Sequence, residues 1–126
     1  MGKKILVIDD DPLYVEAVGN FLGAKGYEVT SSFNSEEGMG QIKASKPDLI
    51  LLDIMMRTFT EGLLFANKLG RDESYKDIPI IIVTGVKKDA GLSYGFGSSK
   101  EWPVVREVLE KPINPEELLA AVEKYI

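Results

Sequence analysis

Asp9, Asp10, Asp53, Thr84 and Lys111 are the side chains whose setting singles them out for chemistry. Each closes or follows a short apolar run. Ile5-Leu6-Val7-Ile8 runs into Asp9-Asp10-Asp11, Ile50-Leu51-Leu52 into Asp53, and Ile80-Ile81-Ile82-Val83 into Thr84-Gly85; Lys111 lies just past Val104 to Leu109. Carboxylates crowded together disfavour one another's charge unless a cation intervenes. A hard divalent ion is the natural partner, and Mg²⁺ takes octahedral oxygen ligands, a few from carboxylates and the rest from water or phosphate. Thr84 adds a neutral hydroxyl, and Lys111 a compact positive charge. Together these groups fit phosphoryl transfer. Metal and lysine neutralise the equatorial oxygens, the hydroxyl and backbone N–H groups orient them, and a carboxylate attacks in line.

For that chemistry the runs must end at one place. Short apolar runs rich in Ile and Val read as strands buried on both faces, and ligands of open α/β sheets sit at the carboxyl ends of the strands. The intervening segments read as helices. Asp11-Pro12 is an N-cap followed by proline at the first helical position. Val15, Val18 and Leu22 give the helix one apolar face, and Gly26 is placed to stop it. Tyr27 to Ser31 reads as a short second strand. Asn34-Ser35-Glu36-Glu37 resembles a capping box opening a helix that runs to about Ser45, where Lys46-Pro47 breaks it. Leu49 to Leu52 is the central strand. A loop from Ile54 to Glu61 precedes a third helix over roughly Gly62 to Arg71, then a strand over Ile80 to Val83. Gly85 to Trp102 is irregular, and Val104 to Leu109 is a fifth strand. Asn114-Pro115-Glu116-Glu117 opens a last helix with Leu118, Leu119, Val122 and Ile126 on its apolar face. The alternation predicts a doubly wound five-stranded parallel sheet with helices on both faces.

Composition narrows the function. The chain has 126 residues, one domain's worth, and its net charge of -5 with no basic stripe argues against nucleic acid as a partner. No apolar run approaches a membrane span and no signal-peptide pattern precedes the first strand, so no membrane is expected and the cytoplasm is the expected compartment. The absence of cysteine and histidine removes disulfides, thiolate or imidazole metal sites and His-based triads.

With those residues in that order, the chain resembles the receiver domain of two-component response regulators. Asp9-Asp10, Leu51-Leu52-Asp53-Ile54-Met55-Met56, Thr84-Gly85 and Glu110-Lys111-Pro112-Ile113 carry the resemblance, which covers essentially the whole chain. It implies a flavodoxin-like sheet in the order 2-1-3-4-5 and a signalling switch rather than an enzyme. Asp53 would be the phosphoacceptor, loaded from the phosphohistidine of a sensor kinase or phosphotransfer protein. Asp9 and Asp10 would hold Mg²⁺ with Asp53 and the Met55 carbonyl. Thr84 would be the switch hydroxyl, and Lys111, before a cis Pro112, would pair with the phosphoryl group. Residues 1–126 would form a single receiver without an output domain, monomeric or weakly dimeric, with its output a contact with a downstream protein.

The chain departs from the family pattern in places. Arg57 and Glu61 stand where proline and glycine are usual, with Gly62 one position later. Val108 replaces the aromatic residue that usually reports the switch. Residues 85–103 are long and glycine-rich, so a helix there is expected to be shortened, displaced or mobile, with Phe96 and Trp102-Pro103 as its anchors. These departures leave a phosphorylation-independent pseudo-receiver as an alternative. Asp9-x-Asp11 also imitates the first motif of haloacid dehalogenase-like phosphatases, with Asp9 as nucleophile and Asp11 as general acid, but that reading leaves Asp53 unexplained. Met55 and Val86 flank the acceptor and the switch hydroxyl and are apolar, so they would position an attacking water poorly. The phosphoryl form is therefore expected to be long-lived; following its decay after removal of the donor checks this, and a half-life of seconds would contradict it.

Overall fold

In a computed structural model, the structure describes residues 2–53, 59–84, 105–110 and 113–126. The elements are β1 (Lys4–Ile8), α1 (Pro12–Ala24), β2 (Glu28–Ser32), α2 (Ser35–Ala44), β3 (Leu49–Asp53), α3 (Phe59–Arg71), β4 (Ile80–Thr84), β5 (Val105–Glu110) and α4 (Pro115–Tyr125). All strand pairs are parallel, and the order is β2-β1-β3-β4-β5, as expected. Ile5, Val7, Leu49, Leu51, Ile81 and Leu109 pack with Val15, Val18 and Leu22 of α1 and with Leu118, Ala121 and Val122 of α4. Leu6, Ile8, Ile50, Leu52, Ile80 and Ile82 point the other way, onto Ile42 of α2 and Phe65, Ala66 and Leu69 of α3. Successive side chains thus enter opposite cores, which is why the strand sequences are continuously apolar rather than alternating.

Helix ends follow local chemistry. Asp11 caps α1, its Oδ1 accepting from the N–H groups of Leu13 and Tyr14 at 3.0 and 3.4 Å. At the other end Gly26, at φ +100°, adopts the left-handed conformation that favours glycine. The N–H of Tyr27 bonds the Leu22 carbonyl and that of Gly26 the Gly23 carbonyl, a Schellman ending. Asn34 caps α2 by accepting from Glu37 N–H, while the Glu37 carboxylate accepts from Phe33 N–H. Asn114 caps α4 by accepting from Glu116 and Glu117 N–H.

The elements differ from the sequence expectations at their edges. Strands β2 and β5 each lie one residue later than expected, and β1, β3 and β4 each include one more residue. Helix α3 begins at Phe59 rather than Gly62. The burial of Phe65, Ala66 and Leu69 against the sheet supports this helix although its start lacks a cap signature. The expected irregularity between β4 and β5, with Phe96, Trp102 and Pro103, lies outside the described residues, as do Arg57 and the Lys111-Pro112 bond. Among the described residues no helix is long and apolar enough to cross a membrane.

The cap of α1 can be tested apart from any chemistry. Asp11→Ala is expected to lower stability by about 1 kcal/mol, read as a reduced urea midpoint with unchanged slope. An unchanged midpoint would mean that the cap contributes nothing to the fold.

Candidate functional site

The strands bring the carboxylates together by register. Ile8 pairs with Leu52 across β1 and β3, so the next residues, Asp9 and Asp53, leave adjacent strands side by side, roughly 4.8 Å apart in the direction of the ladder. Ile8 and Leu52 face α2 and α3; by the pleat, Asp9 and Asp53 face the α1 and α4 side. The β1 ladder continues one step further, with Asp9 N–H donating to the Ser32 carbonyl at 3.1 Å. Asp9 is in turn oriented by the next turn of chain, its Oδ1 accepting from Asp11 N–H at 3.0 Å. Asp10 follows at the start of that turn and is exposed.

Asp9 and Asp53 are 1% and 5% exposed, which is unusual for carboxylates. One oxygen from each of Asp9, Asp10 and Asp53 lies within 4.8 Å of the others. Such a set of hard oxygen donors, two of them shielded from water, fits a divalent cation of the Mg²⁺ class, whose charge would relieve the repulsion between them. Asp11 stays out of this cluster because its carboxylate caps α1, which counts against its acting as a general acid beside Asp9.

Thr84 ends β4 at the same edge; its neighbour Val83 is the register partner of Asp53, and Thr84 itself is paired with Glu110 at the end of β5. Met55, Val86 and Lys111 lie outside the described residues. Ser32 is buried, and its Oγ has no hydrogen-bond partner among the described residues. Its register partner is Ile8, which places it on the α2 and α3 side, away from the acids.

Tyr14 is the residue that sequence reasoning missed. It lies on the first turn of α1, packs against the core with Val18, and has a buried phenol oxygen. Burial, and then the negative charges of Asp9 and Asp53, push its ionisation well above the ordinary tyrosine range. In sequence it reads as one more apolar member of the helix face. The available clue was its position four residues after Asp10, one helical turn along.

This arrangement of a 2-1-3-4-5 parallel sheet with an acid cluster at its carboxyl edge has counterparts among known proteins. The profile of the response regulator receiver domain matches residues 5–123, and the chain belongs to that family. It is 34% identical over 126 residues to the phosphate regulon transcriptional regulatory protein PhoB of Pseudomonas aeruginosa, covering 100% of this chain and 52% of that protein. It is 29% identical over 123 residues to Protein PilH of the same organism, covering 98% of this chain and 97% of PilH. Among solved structures, chemotaxis protein CheY4 of Vibrio cholerae superposes with a TM-score of 0.84 at 25% identity, covering 100% of both chains. The chain spans about half the length of several curated relatives it matches, including PhoB and the DNA-binding dual master transcriptional regulator RpaA of Synechocystis.

The surroundings of Tyr14 give a pH dependence. Because folding favours the protonated phenol, the unfolded chain releases this proton first as pH rises past about 10. The stabilisation is complete below that range and is lost as pH climbs toward the raised value of the folded state. In the presence of a chelator, the urea midpoint of the wild type is therefore expected to fall more steeply above about pH 10 than that of Tyr14→Phe. Parallel curves would show that Tyr14 does not sense the two acids.

Proposed function

We propose that this chain is a phosphoacceptor switch: Asp53 accepts a phosphoryl group from the phosphohistidine of a sensor kinase or phosphotransfer protein, with Mg²⁺ bound by Asp9, Asp10, Asp53 and the Met55 carbonyl. The observation that carries this reading is the convergence of the three carboxylates at the carboxyl edge of the sheet, two of them buried. The metal supplies charge neutralisation. Asp53, the last residue of β3, supplies the nucleophilic oxygen, and its place in a buried strand holds that oxygen still for in-line attack. Thr84 reaches the phosphoryl oxygens from the end of β4, and Lys111 balances their charge.

Attack by the Asp53 carboxylate on phosphorus forms the acyl phosphate as the bond to the donor nitrogen breaks, and the product carries roughly -1.5 to -2 charge at neutral pH. That charge is the signal. It favours whichever arrangement of the surrounding loops satisfies it better, and a downstream protein reads the difference. The exposed side chains Leu13, at the start of α1, and Phe33, just after β2, give an incoming protein apolar contact near the acids. The reading further places this receiver domain in the cytoplasm, monomeric or weakly dimeric, acting through contact with another protein.

The test is intact mass after incubation with a small-molecule phosphodonor, with and without Mg²⁺, on the wild type and Asp53→Asn. One phosphoryl adduct, lost without Mg²⁺ and lost in Asp53→Asn, is the expected result. No adduct under any condition would favour a phosphorylation-independent binding module. An adduct that survives Asp53→Asn but disappears in Asp9→Asn would return the chemistry to a phosphatase-like nucleophile.

A further inference from the structure

Helix α1 is apolar over more of its surface than the core uses. Val15, Val18 and Leu22 are its buried residues, yet its other side is not the charged face that a surface helix normally shows. Glu16 is the only charged residue in Pro12–Ala24, in a chain of which 28% is charged. At 3.6 residues per turn, Leu13, Ala17 and Phe21 form a stripe along the helix, with Tyr14 beside it. Leu13 is 77% exposed, Ala17 is exposed, and Tyr14 and Phe21 are half-buried. The stripe borders an apolar groove against the start of α4, where Ile113, Pro115 and Leu118 form the opposite wall. Charge stands at the two ends of the stripe. Exposed Asp10 precedes the helix, and Lys25 follows it, with its ammonium nitrogen 5.6 Å from the centre of the Phe21 ring.

We propose that this face of α1 is an interface between two copies of the chain, packed antiparallel about a two-fold axis at Ala17. In such a contact the same patch meets itself. Its centre must therefore be free of like charge, and its two ends must carry opposite signs. The α1 face meets both conditions. An axis at Ala17 sets Leu13 of each copy against Phe21 of the other, since both lie four residues from it. Ala17 meets its own copy, so a small side chain stands at the crossing and lets the helices approach closely. The same axis brings Lys25 of each copy to the start of the other's α1, where Asp10 is the exposed acid. Glu16 points about 100° round the helix from Ala17, so it flanks the crossing instead of repelling its own copy there. The dimer would cover Leu13, which the reading above offers to an incoming protein, so the two contacts are alternatives.

The experiment is sedimentation velocity of the unphosphorylated protein across a wide range of concentration, at low salt and with a chelator present. It compares the wild type with Ala17→Glu, Lys25→Glu and the double charge swap Asp10→Lys with Lys25→Glu, and takes the urea midpoint of each as a control. The wild type is expected to pass from monomer to a limiting mass of a dimer as concentration rises, and added salt should weaken the association. Ala17→Glu sets two carboxylates at the crossing and should weaken association at least about tenfold, with little change in midpoint because Ala17 is exposed. Lys25→Glu should also weaken it, and the double swap, which reverses the sign at both ends, should restore it. A wild type that stays monomeric up to its solubility limit would overturn the proposal and leave the face to a different protein. A dimer that survives Ala17→Glu would overturn it too, since the copies would then meet elsewhere. A mass that grows past the dimer would do the same, because it marks a head-to-tail contact.

Discussion

The constraint on which the rest of the structure depends is the crowding of three carboxylates at one edge, two of them withdrawn from water. Burying an ionised carboxylate costs several kcal/mol unless it is compensated, and no local preference of Asp9 or Asp53 favours the arrangement. It is imposed by the sheet. With Ile8 opposite Leu52, the acids that follow emerge side by side on the α1 and α4 face. A slip of one residue in either strand would turn its acid toward α2 and α3 and expel its apolar neighbours from their cores. The large side chains on both faces of β1 and β3 therefore do more than stabilise the fold. They hold in place a like-charge cluster that would otherwise disperse, and a cation that binds only the folded chain would return part of that cost as stability.

The two faces of the sheet divide the work. The α2 and α3 side is almost wholly apolar at this edge: Ile8 and Leu52 continue into Phe65, and Gly38 is the residue of α2 that lets Ile8 fit, since a Cβ there would meet the Ile8 side chain at 2.6 Å. The α1 and α4 side carries Asp9, Asp53 and the phenol of Tyr14. The asymmetry follows from the pleat. Once Ile8 and Leu52 are assigned to one core, the next residue on each strand must face the other, and α1, entering directly from the Asp9 turn, is the element positioned to meet it.

Much of this was legible in the sequence because the signals were local or strictly periodic. Continuous Ile and Val runs read as strands covered on both sides; Asp11-Pro12, Asn34 with Glu37, and Asn114-Pro115 are caps whose hydrogen bonds the structure contains. From the runs and their terminal acids the carboxyl-edge cluster could be assembled before any coordinates. What escaped were features decided by tertiary contact. The start of α3 has no capping residue, and Phe59-Thr60-Glu61 carries no clear helical period, so its first turn follows from the docking of Phe65 and Leu69 rather than from propensity. Tyr14 escaped for a different reason. Its spacing from Val18 places it beside the apolar face, and it packs half-buried against that core, but nothing in a one-dimensional pattern reveals which way the polar end of such a tyrosine points.

The origin of the groups in the chain also separates two functions. Asp9 and Asp10 follow β1 and Asp53 ends β3, all within the first 53 residues, whereas Thr84 ends β4 and Lys111 follows β5 in the sequence. In the proposed chemistry the first set holds the cation and receives the phosphoryl group, and the second reads it. The metal-binding half rests on the central strand β3, where Leu49, Ile50, Leu51 and Leu52 are each 1% exposed or less. A site seated there has little freedom to rearrange, because close-packed cores resist small displacements. In the proposed chemistry the response to the acyl phosphate falls to Thr84 and Lys111 rather than to the carboxylates.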